Sequence, residues 1–386
     1  MKYRFKTASD FSYLCGLHLS DALLLIAGDK TYLLYEKHNE VVWGENTVLS
    51  DEDMQRSKDI IFDSLDRFEE IVRSHIHQFD RIAVSFERDK NLEQSLLSII
   101  SFDRKLRGRF GSPLVICDSR SLVGTVRLVK DDSEMANIRQ AAARSSRVHN
   151  RLMQQSFIGK TERQISNWIE GSFLLEDMQW TAYETIVGSG ERSTLLHARA
   201  SDRTVQAGEL ILVDAGGEWN GYCSDITRVM PAGKSFSIRQ KEIYQSVLAA
   251  QKLALKSIKP GTSLQEIHDL TTASLIEELS KLNLSEDLVR AQIANLMPHS
   301  TSHWIGMDVH DPSPYIDDSG QRILLSAGMC FTVEPGLYFR SQEQFGEYFG
   351  IGVRIEDDVL VTDRGCEVLT SVAKEVEEIE QFRARA

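Results

Sequence analysis

The sequence predicts two domains: a smaller α/β domain over residues 1–124 and an α+β domain over residues 125–386. Three observations carry that prediction. A chain of 386 residues exceeds what one hydrophobic core ordinarily serves. Up to about residue 125, short apolar runs alternate with helical stretches, the texture of an α/β layer. Beyond Glu209, strands come in pairs and helices come as a block, a segregation that belongs to α+β architecture.

In the first domain, ALLLIAG (22–28) and TYLLYE (31–36) read as strands meeting at a Gly-Asp-Lys turn. The polar-apolar stretch 51–78 reads as one long helix. RIAVSF (81–86) and PLVICD (113–118) read as short buried-type strands, with residues 91–101 helical between them. In the second domain a helix opens near Asp131 or Asp132, with Ile138, Ala142, Ser145 and Val148 near helical spacing. The next begins at Thr161, where Thr-x-x-Gln with Gln164 forms a capping box. Paired strands (209–219 and 222–230), helices at 237–258 and 263–282, and strands at 329–335 and 350–362 follow, then a short charged tail helix.

Composition excludes several function classes. A formal net charge of −13 argues against nucleic acid or an anionic membrane surface as partner, because both require a basic face. The carboxylate excess suits a cation binder and serves solubility equally well. No run reaches the ~18 apolar residues of a membrane span, and the N-terminus has no apolar leader, which predicts a cytoplasmic protein. Cys15, Cys117, Cys223, Cys330 and Cys366, without CxxC spacing, read as free structural thiols.

The chemistry concentrates in four segments. In ILVDAGGEWNGYCSDITRV, Asn220-Gly221 is the preferred dipeptide of a two-residue type I′ hairpin. Counting outward, Trp219 faces Tyr222 and Gly216 faces Asp225, which places Asp214 and Asp225 diagonally on one side of the ribbon, ~7 Å apart. A cation between them relieves their repulsion; exposed turn-flanking aspartates are the bland alternative. In GVRIEDDVLV, strict alternation puts Arg354, Glu356 and Asp358 on one face and Ile355 and Asp357 on the other. Glu334 stands alone in the apolar run MCFTVEPG, where a carboxylate is unfavourable unless paired, protonated or metal-bound. His299, His303 and His310 cluster in MPHSTSHWIGMDVHD, at a spacing that fits neither an HExxH helix nor a zinc finger.

Together with YRFKTASDFSYLCG, TIVGSGE (185–191), PGTSLQEIHD and FTVEPGLY, these segments resemble the M24 metallopeptidase family, and within it the bacterial aminopeptidase P group. The resemblance spans nearly the whole chain. It implies a pita-bread fold for residues 125–386 and a creatinase/prolidase-like N-terminal domain. It also implies two divalent metal ions held by Asp214, Asp225, His303, Glu334 and Glu356, with Asp225 and Glu356 bridging. Such an oxygen-dominated donor set with one imidazole favours Mn²⁺, with Co²⁺ or Zn²⁺ as alternatives. The implied reaction is attack of a metal-bridging hydroxide on an Xaa-Pro peptide bond, with Glu334 as proton shuttle and with His197 and His310 stabilising the intermediate and holding substrate. His299 would line the proline pocket or serve structurally, Arg354 would orient ligands, and Tyr222 would match the family tyrosine near the metals. Because the Xaa-Pro nitrogen bears no hydrogen and the ring restricts the preceding residue, a shaped proline pocket is the implied specificity element.

The sequence departs from the family pattern at Ser300, where a glycine is usual, and in lacking the helix and strand that normally precede YRFKTASDF. A homo-oligomer, dimer or tetramer, is implied. The runner-up enzyme is a prolidase, which accepts only dipeptides; Ser-His-Trp at 302–304 leans to the aminopeptidase. A non-catalytic peptide-binding member of the fold is the alternative from another class, disfavoured because all five ligand positions are kept.

Overall fold

The structure is a computed structural model that describes residues 7–19, 21–36, 49, 51–85, 90–108, 111, 114–282 and 284–386. Its chain divides into two units, Met1–Val123 and Gly124–Ala386.

In the first unit, helix α1 (Ser9–Cys15) leads into β1 (Ala22–Ala27) and β2 (Lys30–Tyr35), an antiparallel hairpin turning at Gly28 with φ of 66°. Apolar residues in succession along β2 bury both faces. Leu33 packs with Leu17, Leu19 and Leu49, and Leu34 packs with Phe68, Ile71 and Val72. The expected single helix over 51–78 is absent. Helix α2 (Asp51–Arg56) stops, β3 (Ile60–Ser64) runs parallel to β2 in the register Thr31↔Ile60, and α3 (Phe68–His75) follows. The physical reason is the β-branched and aromatic run Ile60-Ile61-Phe62. Ile60 and Phe62, two apart, both pack against the cluster around Leu33, which requires the strand period. Strand β4 (Arg81–Val84), α4 (Lys90–Arg107) and β5 (Val115–Asp118) complete this layer, with β4 and β5 parallel. The expected strand residues 86 and 113 lie outside the described residues. Helix α5 (Ser119–Arg127) leads out of the unit.

The second unit opens with α6 (Asp132–Leu152), capped by Asp131 and Glu134, and α7 (Glu162–Leu175), capped by Thr161 and Gln164 as the sequence predicts. Strands β6 (Trp180–Thr181) and β7 (Ile186–Ser189) follow. The paired strands of the 209–231 region form one ribbon with a break in its middle. Strand β8 (Leu210–Asp214) pairs with β11 (Thr227–Pro231), and β9 (Gly217–Trp219) pairs with β10 (Tyr222–Cys223). Asn220 and Gly221 both have positive φ, 48° and 81°, as a type I′ turn demands. The inner half joins β7 and the outer half joins β6, so each half belongs to a different sheet.

Helices α8 (Ile238–Ser257), α9 (Leu264–Ser280) and α10 (Glu286–Leu296) come next; the first two match the expected spans and carry Ser237/Gln240 and Ser263/Glu266 capping boxes. A second broken ribbon follows. Strand β12 (Cys330–Val333) pairs with β15 (Asp357–Val361), while β13 (Gly336–Tyr338) pairs with β14 (Gly352–Arg354). The one-turn α11 (Gln342–Phe345) sits in its connection, β16 (Cys366–Val368) adds to β15, and α12 (Val376–Arg383) ends the chain. The tail helix is more than a solvated charge run. Val376 and Ile379 are buried, and Arg383 donates to the carbonyls of Met153, Pro231 and Ala232. No described helix is long and apolar enough to cross a membrane.

Candidate metal centre

Both ribbons break where their acidic residues stand. Asp214 ends β8, Asp225 lies between β10 and β11, Glu334 lies between β12 and β13, and Glu356 lies between β14 and β15. A strand passing from one sheet to the next turns its side chains towards the crossing point, so the two breaks concentrate four carboxylates at one place. The ribbons meet there directly. Glu356 N–H donates to Thr227 O at 3.1 Å, and the Thr227 hydroxyl donates to Glu356 Oε2 at 2.6 Å. His303 arrives from a third segment, which pairs with β12 through Thr332 N to His303 O at 2.9 Å and Glu334 N to Thr301 O at 2.8 Å.

Asp225, His303 and Glu356 offer ligand atoms that all lie within 4.8 Å of one another. His303 Nε2 is 3.4 Å from Asp225, 3.7 Å from Glu334 and 3.9 Å from Glu356. Its Nδ1 is 3.2 Å from Trp304 O; a carbonyl only accepts, so Nδ1 carries a proton and Nε2 is the ring nitrogen left facing the carboxylates. Asp214 is tied to Asp225 by Tyr183, whose hydroxyl lies 2.6 Å from Asp214 Oδ1 and also contacts Asp225 Oδ1. One hydroxyl proton cannot serve both acceptors fully. Arg354 donates from Nη2 to Asp214 Oδ2 at 2.5 Å, from Nε to the Thr227 hydroxyl at 3.0 Å and from Nη1 to the Tyr338 hydroxyl at 2.8 Å. Tyr338 in turn lies 3.0 Å from His299 Nε2, while His299 Nδ1 donates to Ser300 O at 2.9 Å. This fixes a relay in which Arg354 donates to Tyr338, Tyr338 to His299 and His299 to the Ser300 carbonyl.

The electrostatics are those of a cation site. Burial pushes Asp214 up to about 6, with Arg354 opposing and Asp225 reinforcing. It pushes Glu334 up to about 7 against His303 and Arg354, and it raises Glu356 well above the carboxylate range, with Asp225 and Glu334 adding to the effect. For Asp225 burial acts upward too, but the bonds from His303 and Tyr183 outweigh it and hold it low. Burial pulls His303 down, yet Asp225 and Glu334 overcome this and raise it to about 9. Asp214, Asp225, Glu334 and Glu356 thus share only Arg354 and His303 as positive partners among the residues named here, and their repulsion is relieved at neutral pH by protons held chiefly on Glu356 and in part on Glu334. A divalent cation fits this donor set of carboxylate oxygens and one imidazole, and would take the place of those protons.

The outer histidines sit at the rim. The ring of His310, exposed, is 4.2 Å from that of His303, centroid to centroid. His197 is also exposed, on the loop after β7, near enough to lower both His299 and His310 electrostatically after the larger effect of burial. His299 is held down at about 4, and is neutral. The alternation expected across 352–361 persists through the break: Arg354, Glu356 and Asp358 face the cluster, Asp358 accepting from Ser224 Oγ and Asp225 N, while Asp357 points away into an ion pair with Arg228. Cys223 directs its thiol to Met307 O, away from the carboxylates.

One expectation is overturned. Tyr222 is not the tyrosine at the cluster, because its hydroxyl bonds Glu134 of α6 at 3.1 Å. Residue 222 lies three positions before Asp225 and therefore on the opposite face of the ribbon. Tyr183 takes that place. It, Thr227 and Tyr338 are the cluster residues that sequence reasoning missed. Thr227 was within reach, since it stands two residues after Asp225 on the same strand face; Tyr183 and Tyr338 have no such local signal.

This fold, with a buried carboxylate-imidazole cluster at the meeting of two broken ribbons, defines a metallopeptidase class. The chain belongs to metallopeptidase family M24, whose model matches residues 136–363, and it has that family's pita-bread α+β domain with a divalent metal site. It is 32% identical over 403 residues to the Xaa-Pro aminopeptidase of Escherichia coli (strain K12), covering 100% of this chain and 90% of that protein. It is 35% identical over 297 residues to the human Xaa-Pro dipeptidase, covering 67% of this chain and 60% of that one. The structure of zinc-substituted E. coli aminopeptidase P in complex with product superposes with a TM-score of 0.88 at 31% identity, covering 99% of this chain and 90% of that one.

Proposed function

We propose that this protein is a dinuclear Xaa-Pro aminopeptidase that releases the N-terminal residue from peptides with proline in second position. The observation that carries the reading is the convergence of Asp225, His303 and Glu356 within 4.8 Å, flanked by Asp214 and Glu334, in a chain similar along its whole length to an Xaa-Pro aminopeptidase. Asp214, Asp225, His303, Glu334 and Glu356 would hold two divalent ions, with Mn²⁺ favoured by the oxygen-rich donors and Co²⁺ or Zn²⁺ as substitutes. Bound ions supply Lewis acidity at the scissile carbonyl and acidify water at neutral pH.

The chain's own residues supply the rest. Glu334, a buried carboxylate 3.7 Å from His303 Nε2, would take and return a proton during the reaction. His197 and His310 would donate to oxygen as charge develops on the substrate carbonyl, a reading supported for His310 by its ring lying 4.2 Å from that of His303. His299, neutral and held by Tyr338, would line the proline pocket, and Arg354 keeps Asp214 and Tyr338 in place. Residues 125–386 would form the catalytic domain and 1–124 an accessory one, in a cytoplasmic homo-oligomer.

A dipeptidase is the second reading, favoured by similarity to the human Xaa-Pro dipeptidase over 67% of this chain. The test is Mn²⁺-dependent hydrolysis of an Xaa-Pro dipeptide and an Xaa-Pro-Yaa tripeptide, with Asp225→Asn as control. Tripeptide cleavage that is lost in Asp225→Asn is expected. Cleavage of the dipeptide alone would transfer the assignment to the dipeptidase, and no cleavage with Mn²⁺ bound would overturn both.

A further inference from the structure

One group of buried charges in the second unit takes no part in the chemistry above. Arg127, at the end of α5, Lys130 and Asp311 are almost wholly inaccessible, the Asp311 side chain at 1%. Asp311 accepts from Arg127 Nη2 on Oδ1, from Lys130 Nζ at 3.3 Å and from Ser313 Oγ at 3.4 Å on Oδ2, and from Asp308 N at 3.4 Å. The same Arg127 nitrogen reaches Asp308 Oδ2 at 2.8 Å. A buried ion cluster contributes little net stability, because desolvation offsets most of the attraction; its use is to single out one arrangement of the chain.

The arrangement here is the loop from Trp304 to Asp311. Asp311 N donates to Trp304 O at 3.0 Å, and Gly306 N donates to Asp308 O at 3.1 Å. A Cβ on Gly306 would stand 2.9 Å from the Asp311 carboxylate oxygens, so the loop closes tightly around that carboxylate. Gly306 O also accepts from Cys223 N at 2.8 Å, which ties the loop to the ribbon that carries Asp225. His303 precedes the loop and His310 lies near its end, with their rings 4.2 Å apart. His310 is exposed, so the loop backbone sets where its imidazole stands.

We propose that Asp311, gripped by Arg127 and Lys130, is the positioning residue for His310, and that the cluster locks the 304–311 loop in the conformation that keeps His310 against His303. The kinetic consequences rest on the peptidase reading; the positional claim does not. Two readouts therefore test it. In a crystal structure of metal-loaded Asp311→Asn, the His310 ring leaves its place beside His303 while the metal ligands stay. In kinetics, Asp311→Asn lowers kcat on an Xaa-Pro-Yaa tripeptide by roughly 10–100-fold, the scale of an ~1 Å misplacement, with KM and Mn²⁺ content unchanged. In a His310→Ala background the same substitution adds no further loss.

Should Asp311→Asn fail to fold, Arg127→Lys serves the same measurements, since it keeps the buried charge but replaces the planar guanidinium, whose Nη2 reaches both Asp308 and Asp311, with a shorter side chain ending in a point charge. An unmoved His310 ring in the variant, or an equal loss with and without His310, overturns the proposal. If the wild-type protein cleaves no Xaa-Pro peptide, the peptidase reading falls, and the position of the ring alone decides this one.

Discussion

The proton on Tyr183 is shared between two acceptors that would repel each other without it. Its hydroxyl lies 2.6 Å from Asp214 Oδ1 and also contacts Asp225 Oδ1, and burial followed by the nearby Asp214 and Asp225 charges raises its own pKa well beyond the ordinary tyrosine value. It therefore stays a donor at any working pH. Tyr183→Phe removes the donor and leaves the ring. With Asp214 then held by Arg354 alone and Asp225 by His303, the affinity for Mn²⁺ is expected to weaken roughly 10–100-fold, the usual effect of losing a hydrogen-bond partner of a metal ligand. Calorimetric titration with Mn²⁺ measures this, and an unchanged dissociation constant would refute it. The contrast with Tyr222 shows what was legible at this scale. Asp214 and Asp225 could be placed because one hairpin turn fixes their register, and Glu356 because strand alternation does. A residue such as Tyr183, separated from Asp214 by 31 positions and brought in through β7, depends on sheet pairing that no local pattern announces.

At the scale of elements, hairpin registers and capped helices were readable, whereas breaks were not. The first ribbon keeps one register through its length, with Trp219↔Tyr222 outside and Asp214↔Thr227 inside, as counting from Asn220-Gly221 requires. Its break at Ala215-Gly216 is a tertiary event, caused by the two halves joining different sheets. Gly216 is needed there, because a Cβ would lie 1.7 Å from Ser224 O. Gly216→Ala is expected to push the strands apart and abolish stoichiometric Mn²⁺ binding, which metal analysis of the purified variant would check; full occupancy would be contrary. The misread helix over 51–78 has the opposite cause, since Ile60 and Ile61 fit a helical stripe as well as a strand until β2 is beside them.

Helix α6 offers a pH-dependent test. His149 is 1% exposed, its Nε2–H donates to Ala215 O at 2.8 Å beside Asp214, and burial holds its pKa down at about 4. The unfolded value is about 6.5, so the folded chain binds fewer protons between those values. The stability His149 contributes is full above pH ~6.5 and is lost as pH falls through that window, at about 1.4 kcal/mol per pH unit and roughly 3 kcal/mol by pH ~4. Four of the five tryptophans, Trp168, Trp180, Trp219 and Trp304, lie in the second unit, so fluorescence-detected urea unfolding reports chiefly on it. The wild-type midpoint should fall more steeply than that of His149→Gln between pH 7 and pH 5. Parallel curves would exclude a buried neutral imidazole.

At the scale of the whole molecule, the sequence showed that two units exist and where the chemistry gathers, because five ligand-type residues recur in family order. What it could not show is that the folded second unit carries its own electrostatic stress. Glu334 at about 7, Asp214 at about 6 and Glu356 higher still mean that, near neutral pH, this region folds only by retaining protons or by tolerating repulsion between buried carboxylates. A divalent ion removes that stress and binds only the folded chain, since the ligands are scattered from residue 214 to residue 356. At a free concentration 100-fold above the dissociation constant, binding stabilises the fold by about 2.7 kcal/mol. For a unit of this size, that corresponds to a rise of roughly 5–10 °C in Tm. Scanning calorimetry after EDTA treatment, then again with Mn²⁺ restored, should show the transition that includes Gly124–Ala386 moving up on metal addition, and more so at pH 8 than at pH 6, where protons compete for Asp214 and Glu334. Coincident transitions with and without Mn²⁺ would mean that the carboxylate cluster holds no ion, and would remove the physical basis for the hydrolase.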